Sequence, residues 1–197
     1  MKKTVVLAVS IALATSVFAT KPSDYKINVA KSTLGWLGKK VTGQHSGNIK
    51  LASGNVTVDG ANVTGGMFTI DMNTITCTDL KAEEGADKLV GHLKAADFFD
   101  TEKNKTATFE IVKTTLRKDG QFDVTGKLTI KGITNEITFP ASIKNTGKAM
   151  AMVGKITVDR TKFDIKYGSK SFFEGIGDKA IDNEFFIDFT LVALKGK

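Results

Sequence analysis

Apolar and polar side chains alternate along most of the chain. The clearest run sets Phe122, Val124, Gly126, Leu128 and Ile130 against Asp123, Thr125, Lys127, Thr129 and Lys131, the two-residue period of a β-strand with one buried face. The period returns in Phe68, Ile70 and Met72, in Ala107, Phe109 and Ile111, and in Ile133, Ile137 and Phe139. It returns again in Met150, Met152, Ile156 and Val158, and in Phe185, Ile187, Phe189 and Leu191. Ser53-Gly54, Asp59-Gly60, Gly65-Gly66, Asp119-Gly120, Lys131-Gly132 and Thr146-Gly147 punctuate these runs with hairpin-turn chemistry. Consecutive strands are therefore expected to be antiparallel neighbours. Pro22 and Pro140 are expected to lie outside strand interiors, and the whole pattern predicts about eight to ten strands.

One segment departs from this period. From about Asp79 to Ala96 helix formers prevail, and Leu89 and Leu93 fall four apart on one face, which predicts a single short helix inserted between strands. No repeat, low-complexity tract or linker marks a second domain. The fold class is all-β, either a closed antiparallel barrel or a sandwich. Gly126 and Gly154 interrupt apolar faces in mid-strand, where glycine marks a bend or a close approach. Bent strands favour the barrel, and a barrel of about eight strands is the size that holds one ligand along its axis.

The chain opens on Lys2 and Lys3, continues through an uncharged apolar stretch from Val5 to Phe18 and reaches Val17-Phe18-Ala19. That order is the pattern of a cleavable signal peptide at 1–19, predicting a mature domain at 20–197, starting near Thr20, that is secreted to the periplasm. Cys77 is the lone cysteine, so no disulfide can form within the chain and no lipid-anchor cysteine stands at the cleavage point. The formal charge of +7 is carried mostly by scattered lysines, with Arg117 and Arg160 the two arginines. No stretch interleaves basic and aromatic residues, which argues against nucleic acid as a partner. A positive field does suit transient contact with an anionic membrane surface.

Signatures of catalysis are missing. His45 and His92 stand far apart, without ligand-spaced cysteines or carboxylates beside them, so neither a metal nor another cofactor is expected. The stretch from Gly120 to Lys127 has five residues between its glycines and is followed by Leu128, which rules out a phosphate loop. What stands out instead is thirteen phenylalanines against two tyrosines and one tryptophan; most rings thus lack a polar handle and suit contact with hydrocarbon.

The candidate lining of a barrel interior follows from the alternation. It comprises Phe68, Ile70 and Met72; Phe109 and Ile111; Phe122, Val124, Leu128 and Ile130; Met150, Met152 and Ile156; and Phe185, Ile187 and Phe189. Two phenylalanine pairs lie outside the strands, Phe98-Phe99 after the helix and Phe172-Phe173 in a connection containing Gly and Ser. They are candidates for a mouth or lid. Trp36, His92 and Arg160 are candidate polar contacts there, although Arg160 has Asp159 and Asp164 nearby to pair with and His92 can simply decorate the helix.

Gly-Gln-His-Ser-Gly stands at 43 to 47, Phe-Thr-Ile-Asp-Met at 68 to 72, Gly-His-Leu-Lys at 91 to 94 and Asp-Phe-Phe-Asp at 97 to 100. Thr-Ala-Thr-Phe at 106 to 109, Thr-Gly-Lys-Leu-Thr-Ile-Lys-Gly at 125 to 132, and Val158-Asp159-Arg160 with Phe163 and Tyr167 follow. Taken together and in this order, these strings resemble the YceI-like family. Lys105 stands where a proline commonly precedes the Thr-Ala-Thr-Phe string. The resemblance implies an extended, lipocalin-like antiparallel barrel in the periplasm that encloses a long polyisoprenoid chain, such as an isoprenoid quinone or its precursor. A lipid-modifying enzyme on the same barrel and a β-sandwich interaction module with a filled core are the alternatives.

Overall fold

The computed structural model describes residues 22–60 and 62–196, so the expected signal peptide at 1–19 lies outside the described residues. The chain forms β1 (Ser23–Ile27), β2 (Thr33–Lys40), β3 (Gly43–Asp59), β4 (Asn62–Cys77), α1 (Ala86–Lys94), β5 (Thr106–Leu116), β6 (Phe122–Ile130), β7 (Ile133–Asn145), β8 (Ala149–Asp159) and β9 (Ile181–Lys195). Neighbouring strands run β3-β2-β9-β8-β7-β6-β5-β4, and β4 pairs back onto β3. Every ladder is antiparallel, and the closed sheet is a barrel rather than a sandwich. β1 and β2 share one of its eight positions. Residues 43–49 of β3 pair with β2 and residues 55–58 with β1, while β9 changes partner from β2 to β1 beyond Thr190. A 3₁₀ turn at Val29–Lys31 separates the two pieces.

Antiparallel closure sorts the connections. One end carries the short links β3–β4, β5–β6 and β7–β8; it is called the hairpin end. The other carries the β2–β3 turn, the Lys131-Gly132 turn and the two long connections, residues 78–105 with α1 and residues 160–180. It is called the helix end. Lys131 and Gly132 adopt φ of 51° and 74°, the paired positive angles that let a two-residue link follow strand twist.

Local expectations fail in three places. Ser53-Gly54 and Gly65-Gly66 are not turns but lie inside β3 and β4, paired across the ladder. A Cβ on Gly54 would stand 2.8 Å from Ile27 Cγ1 and 3.0 Å from the Phe68 ring, and one on Gly66 would stand 2.8 Å from the Asn55 carbonyl oxygen. These glycines serve close packing. Pro140 lies inside β7, opposite Asp123. Counting back from the two-residue turn, that pair falls in the non-hydrogen-bonded class, so the Pro140 nitrogen faces β8, whose ladder with β7 begins only at Ala141. The helix expected from Asp79 to Ala96 contracts to α1, because Gly85 at φ 98° divides it from a 3₁₀ turn at Ala82–Glu84.

Candidate functional site

Inward positions of the strands enclose a cavity of about 190 Å³ whose wall presents no polar surface. Phe68, Ile70 and Met72 of β4, Phe109 and Ile111 of β5, and Val124, Leu128 and Ile130 of β6 supply one side. Met152 and Ile156 of β8 with Phe185, Ile187 and Phe189 of β9 supply the other, and Trp36 and Phe99 also reach the wall. The seven residues from Phe185 to Leu191 span roughly 20 Å along β9. A volume of about 190 Å³ spread over that length leaves a cross-section of only about 10 Å² for the centre of a water-sized sphere. The space is a slot, narrow enough for one hydrocarbon chain.

Glycine makes the slot and phenylalanine narrows it. A Cβ on Gly154 would stand 2.7 Å from the Phe189 ring, and one on Gly126 would collide with the Phe109 ring and the Glu110 carbonyl. The tips of the two rings occupy the space that a side chain would fill at these glycines. They continue around the interior, with centroids 6.3 Å apart for Phe68–Phe109, 5.4 Å for Phe109–Phe139 and 5.7 Å for Phe139–Phe189, spacings at which aromatic pairs attract.

The cavity is blind at the hairpin end. Tyr25, Ile27, Val56, Val58, Val63 and Ala193 fill the barrel there, and the Tyr25 hydroxyl donates to Asn145 Oδ1 or the Gly147 carbonyl, each at 3.2 Å. Met150, opposite Ala193, belongs to this plug and not to the lining. Phe122, between Leu116 and Ala141, also packs on the core without reaching the void. Met150 points inward at the height of the plug, whereas Phe122 is half-buried beside Ala141, which does line the void.

At the helix end the expected polar mouth does not form. Arg160 is 1% exposed. Its Nε donates to the Asp182 carbonyl (2.9 Å), Nη1 to that of Ile165 (2.8 Å) and Nη2 to that of Ile181 (3.0 Å), and its guanidinium stacks 5.7 Å from the Phe98 ring. Neither Asp159 nor Asp164 pairs with it: Asp159 accepts from Thr161, and Asp164 takes Lys166. Burial lowers the Arg160 pKa, against the opposing pull of Asp159 and Asp182. Phe98 is buried beneath α1 and not at a mouth. His92 stacks on Tyr167 (4.4 Å) and Phe98 (5.6 Å), with Nε2 buried and unpartnered, and is not in the wall. Trp36 does reach the wall, but its indole N–H is spent on the Thr76 carbonyl at 2.9 Å. Phe172 and Phe173 are each 49% exposed and are not in the wall of this cavity.

Other wall residues escaped the alternation. Leu34, Ile49, Leu51 and Ile75 line the cavity; the last three come from β3 and β4, whose mutual register shifts at 48/50 and 51/53, so an uninterrupted two-residue period never builds up there, and Leu34 stands on β2, whose pairing with β9 shifts at 38/40. The Ile49-Lys50-Leu51 triplet was the available signal.

A polar cluster joins β3 to the end of β4. Asp79 Oδ2 lies 3.0 Å from His45 Nδ1, while Oδ1 accepts from the Ser46 N–H at 2.9 Å and from Cys77 Sγ at 3.2 Å. Burial pushes the Asp79 pKa up, but these hydrogen bonds outweigh it and the net shift is downward. Among the described residues no three His, Cys, Asp or Glu side chains are placed to hold a metal ion.

The described residues thus form a closed antiparallel barrel with a polar exterior and an apolar interior. The YceI-like domain model matches residues 25–193, and the chain belongs to that family. It is 30% identical over 165 residues to the UPF0312 protein VPA0850 of Vibrio parahaemolyticus, covering 80% of this chain and 82% of that one. A UPF0312 protein of Vibrio vulnificus is 32% identical over 158 residues, covering 75% and 77%. Among solved structures, BcnA of Burkholderia cenocepacia superposes with a TM-score of 0.68 at 24% identity, over 84% of this chain and 98% of that one. A domain of Saccharophagus degradans described as polyisoprenoid binding superposes with a TM-score of 0.65 at 15% identity, over 87% and 98%. At these identities the two structures share the fold.

Proposed function

We propose that the protein binds a long-chain polyisoprenoid lipid, of the chemical class of isoprenoid quinones and their precursors, and carries or stores it outside the cytoplasm. The observation that carries this assignment is the slot, wholly apolar, blind at one end and one chain wide. A branched polyprenyl chain gains from every wall contact there and has no polar group to satisfy. The polyisoprenoid binding ascribed to the Saccharophagus domain of the same fold supports the assignment, and the signal-like residues 1–19 support export. Binding without catalysis suits a wall that holds neither His92 nor Arg160.

The test is to express the full-length chain in its native host, purify the exported protein, and sequence its N-terminus. Mass spectrometry of organic extracts then gives the lipid per mole. Wild type is expected to begin near Thr20 and to carry isoprenoid. Met152 is 4% exposed and lines the slot; a folded Met152→Asp variant is expected to lose nearly all cargo, because an inward carboxylate must be desolvated against hydrocarbon at a cost of several kcal/mol. Equal lipid in wild type and this variant overturns the assignment.

A further inference from the structure

Resting on the assignment of a lipid cargo, we propose that the helix end docks on the surface of an anionic bilayer, with Phe172 and Phe173 entering the interface. These two rings are each 49% exposed, and the same end shows Val41 at 51% and Tyr167 at 46%. Their exposure is not that of a slack loop. The Phe172 and Phe173 N–H groups both donate to the Ser169 carbonyl, at 3.1 and 3.0 Å. Ser169 is itself fully buried, its hydroxyl donates to Asn183 Oδ1 at 2.6 Å, and Asn183 Nδ2 returns to Ser171 Oγ at 2.8 Å. The Arg160 clamp on the carbonyls of Ile165, Ile181 and Asp182 holds the base of the same connection. A buried charge and a buried hydroxyl thus fix a platform that shows two adjacent phenyl groups to the outside.

The β2–β3 turn adjoins this platform, since the Val41 N–H donates to the Ala180 carbonyl at 3.1 Å. Lys39, Lys40, Lys162, Lys166, Lys170 and Lys179 are exposed on the segments that carry these apolar residues, against Asp164, Glu174, Asp178, Asp182 and Glu184. Asp164 is already taken by Lys166 at 2.6 Å, and Lys166 Nζ also lies 5.3 Å from the Phe172 ring. A small excess of basic residues on the segments that show these rings, with Lys166 beside Phe172, matches an interface with anionic head groups above hydrocarbon. The face is also joined to the slot by an aromatic path. From Tyr167 it runs through His92, Phe98 and Phe99 to Phe185, with centroids 4.4, 5.6, 5.1 and 6.1 Å apart, and Phe99 and Phe185 are wall residues. A polyprenyl chain is nearly insoluble in water, so the end through which it passes must meet a bilayer, and the opposite end is plugged.

The experiment is flotation of the purified exported protein with vesicles of phosphatidylcholine alone or mixed with phosphatidylglycerol. Wild type is compared with a Phe172→Ser, Phe173→Ser double variant and with Leu116→Ser, which alters a 64% exposed leucine at the hairpin end. Wild type is expected to float with mixed vesicles and to weaken as salt is raised. The double variant is expected to lose about tenfold or more in partitioning, from the apolar area no longer withdrawn from water, and the leucine variant to stay within about twofold of wild type. Equal flotation of wild type and the double variant overturns the proposal, as does an equal loss in Leu116→Ser. A double variant that changes the sedimentation mass instead of flotation overturns it in favour of a self-association face. Lipid in the protein before vesicles are added is measured separately, so failure of the cargo assignment is distinguishable from failure of docking.

Discussion

Arg160 ties two separate segments together, because three backbone carbonyls depend on one buried guanidinium. Arg160→Met removes the donors and orphans the buried Ile165 carbonyl, at about 1 to 3 kcal/mol for a buried unsatisfied acceptor, while the part-buried carbonyls of Ile181 and Asp182 each lose a charge-assisted bond that water can partly replace. Urea unfolding is expected to show a loss of roughly 3 kcal/mol or more. Because Arg160 is absent from the wall, lipid per mole of folded protein should change little. An Arg flanked by Asp159 and Asp164 invites a salt bridge from sequence alone, and backbone carbonyls brought from Ile181 and Asp182 carry no side-chain signature to suggest otherwise. Asp79 is a second residue-scale case with the pH dependence of a depressed carboxylate. Its folded pKa lies below the ordinary 3.8, so its contribution to stability is present above about pH 4 and is lost as the pH falls through the lower, folded value. Asp79→Asn should therefore be less stable than wild type near neutrality, with the gap in melting temperature closing below about pH 4.

Strands were legible because alternation records which face is buried; β6 alternates in sequence over its whole length, although Thr125 on its polar face is also buried, its hydroxyl paired with that of Thr138. The breaks were less legible because glycine has two uses that look alike in sequence. In Lys131-Gly132 it supplies a positive φ; in Gly54, Gly66, Gly126 and Gly154 it supplies missing volume for a neighbour that arrives from another strand. Only the partner distinguishes them, and the partner is distant in the chain. The same holds for Met150, whose inward direction was readable but whose height relative to the plug depends on β1, a five-residue strand too short to show a period. A test at this scale is Gly126→Ala. Its methyl group would have to displace both the Phe109 ring and a backbone carbonyl, an overpacking expected to cost about 1 to 3 kcal/mol in urea unfolding. If the ring instead moves into the slot, lipid content should fall as well. Unchanged stability would show that the Phe109 ring is not seated against this glycine.

For the whole molecule, the decisive property is the separation of polar chemistry from the slot. Trp36, Arg160 and His92 are the polar side chains that the sequence offered for a lipid head group. The fold commits the first two to carbonyls and stacks the third outside the wall. On the proposed lipid-binding function, recognition inside is a matter of length, width and branching of hydrocarbon, and a head group stays at the helix end in contact with water or a membrane. A site built to hydrogen-bond a ligand rejects an analogue lacking that group by several orders of magnitude, whereas a purely apolar site has no such penalty to apply. Delipidated protein offered a polyprenol, a quinone and a polyprenyl pyrophosphate of the same chain length is expected to retain all three within about tenfold in dissociation constant. A linear alcohol with a much shorter chain should be retained far more weakly, since affinity scales with the apolar area withdrawn from water. Competition of each unlabelled lipid against one labelled polyprenol measures both comparisons. A preference of a hundredfold or more for one head group at constant chain would place a polar contact on the ligand, contrary to a wall that offers none.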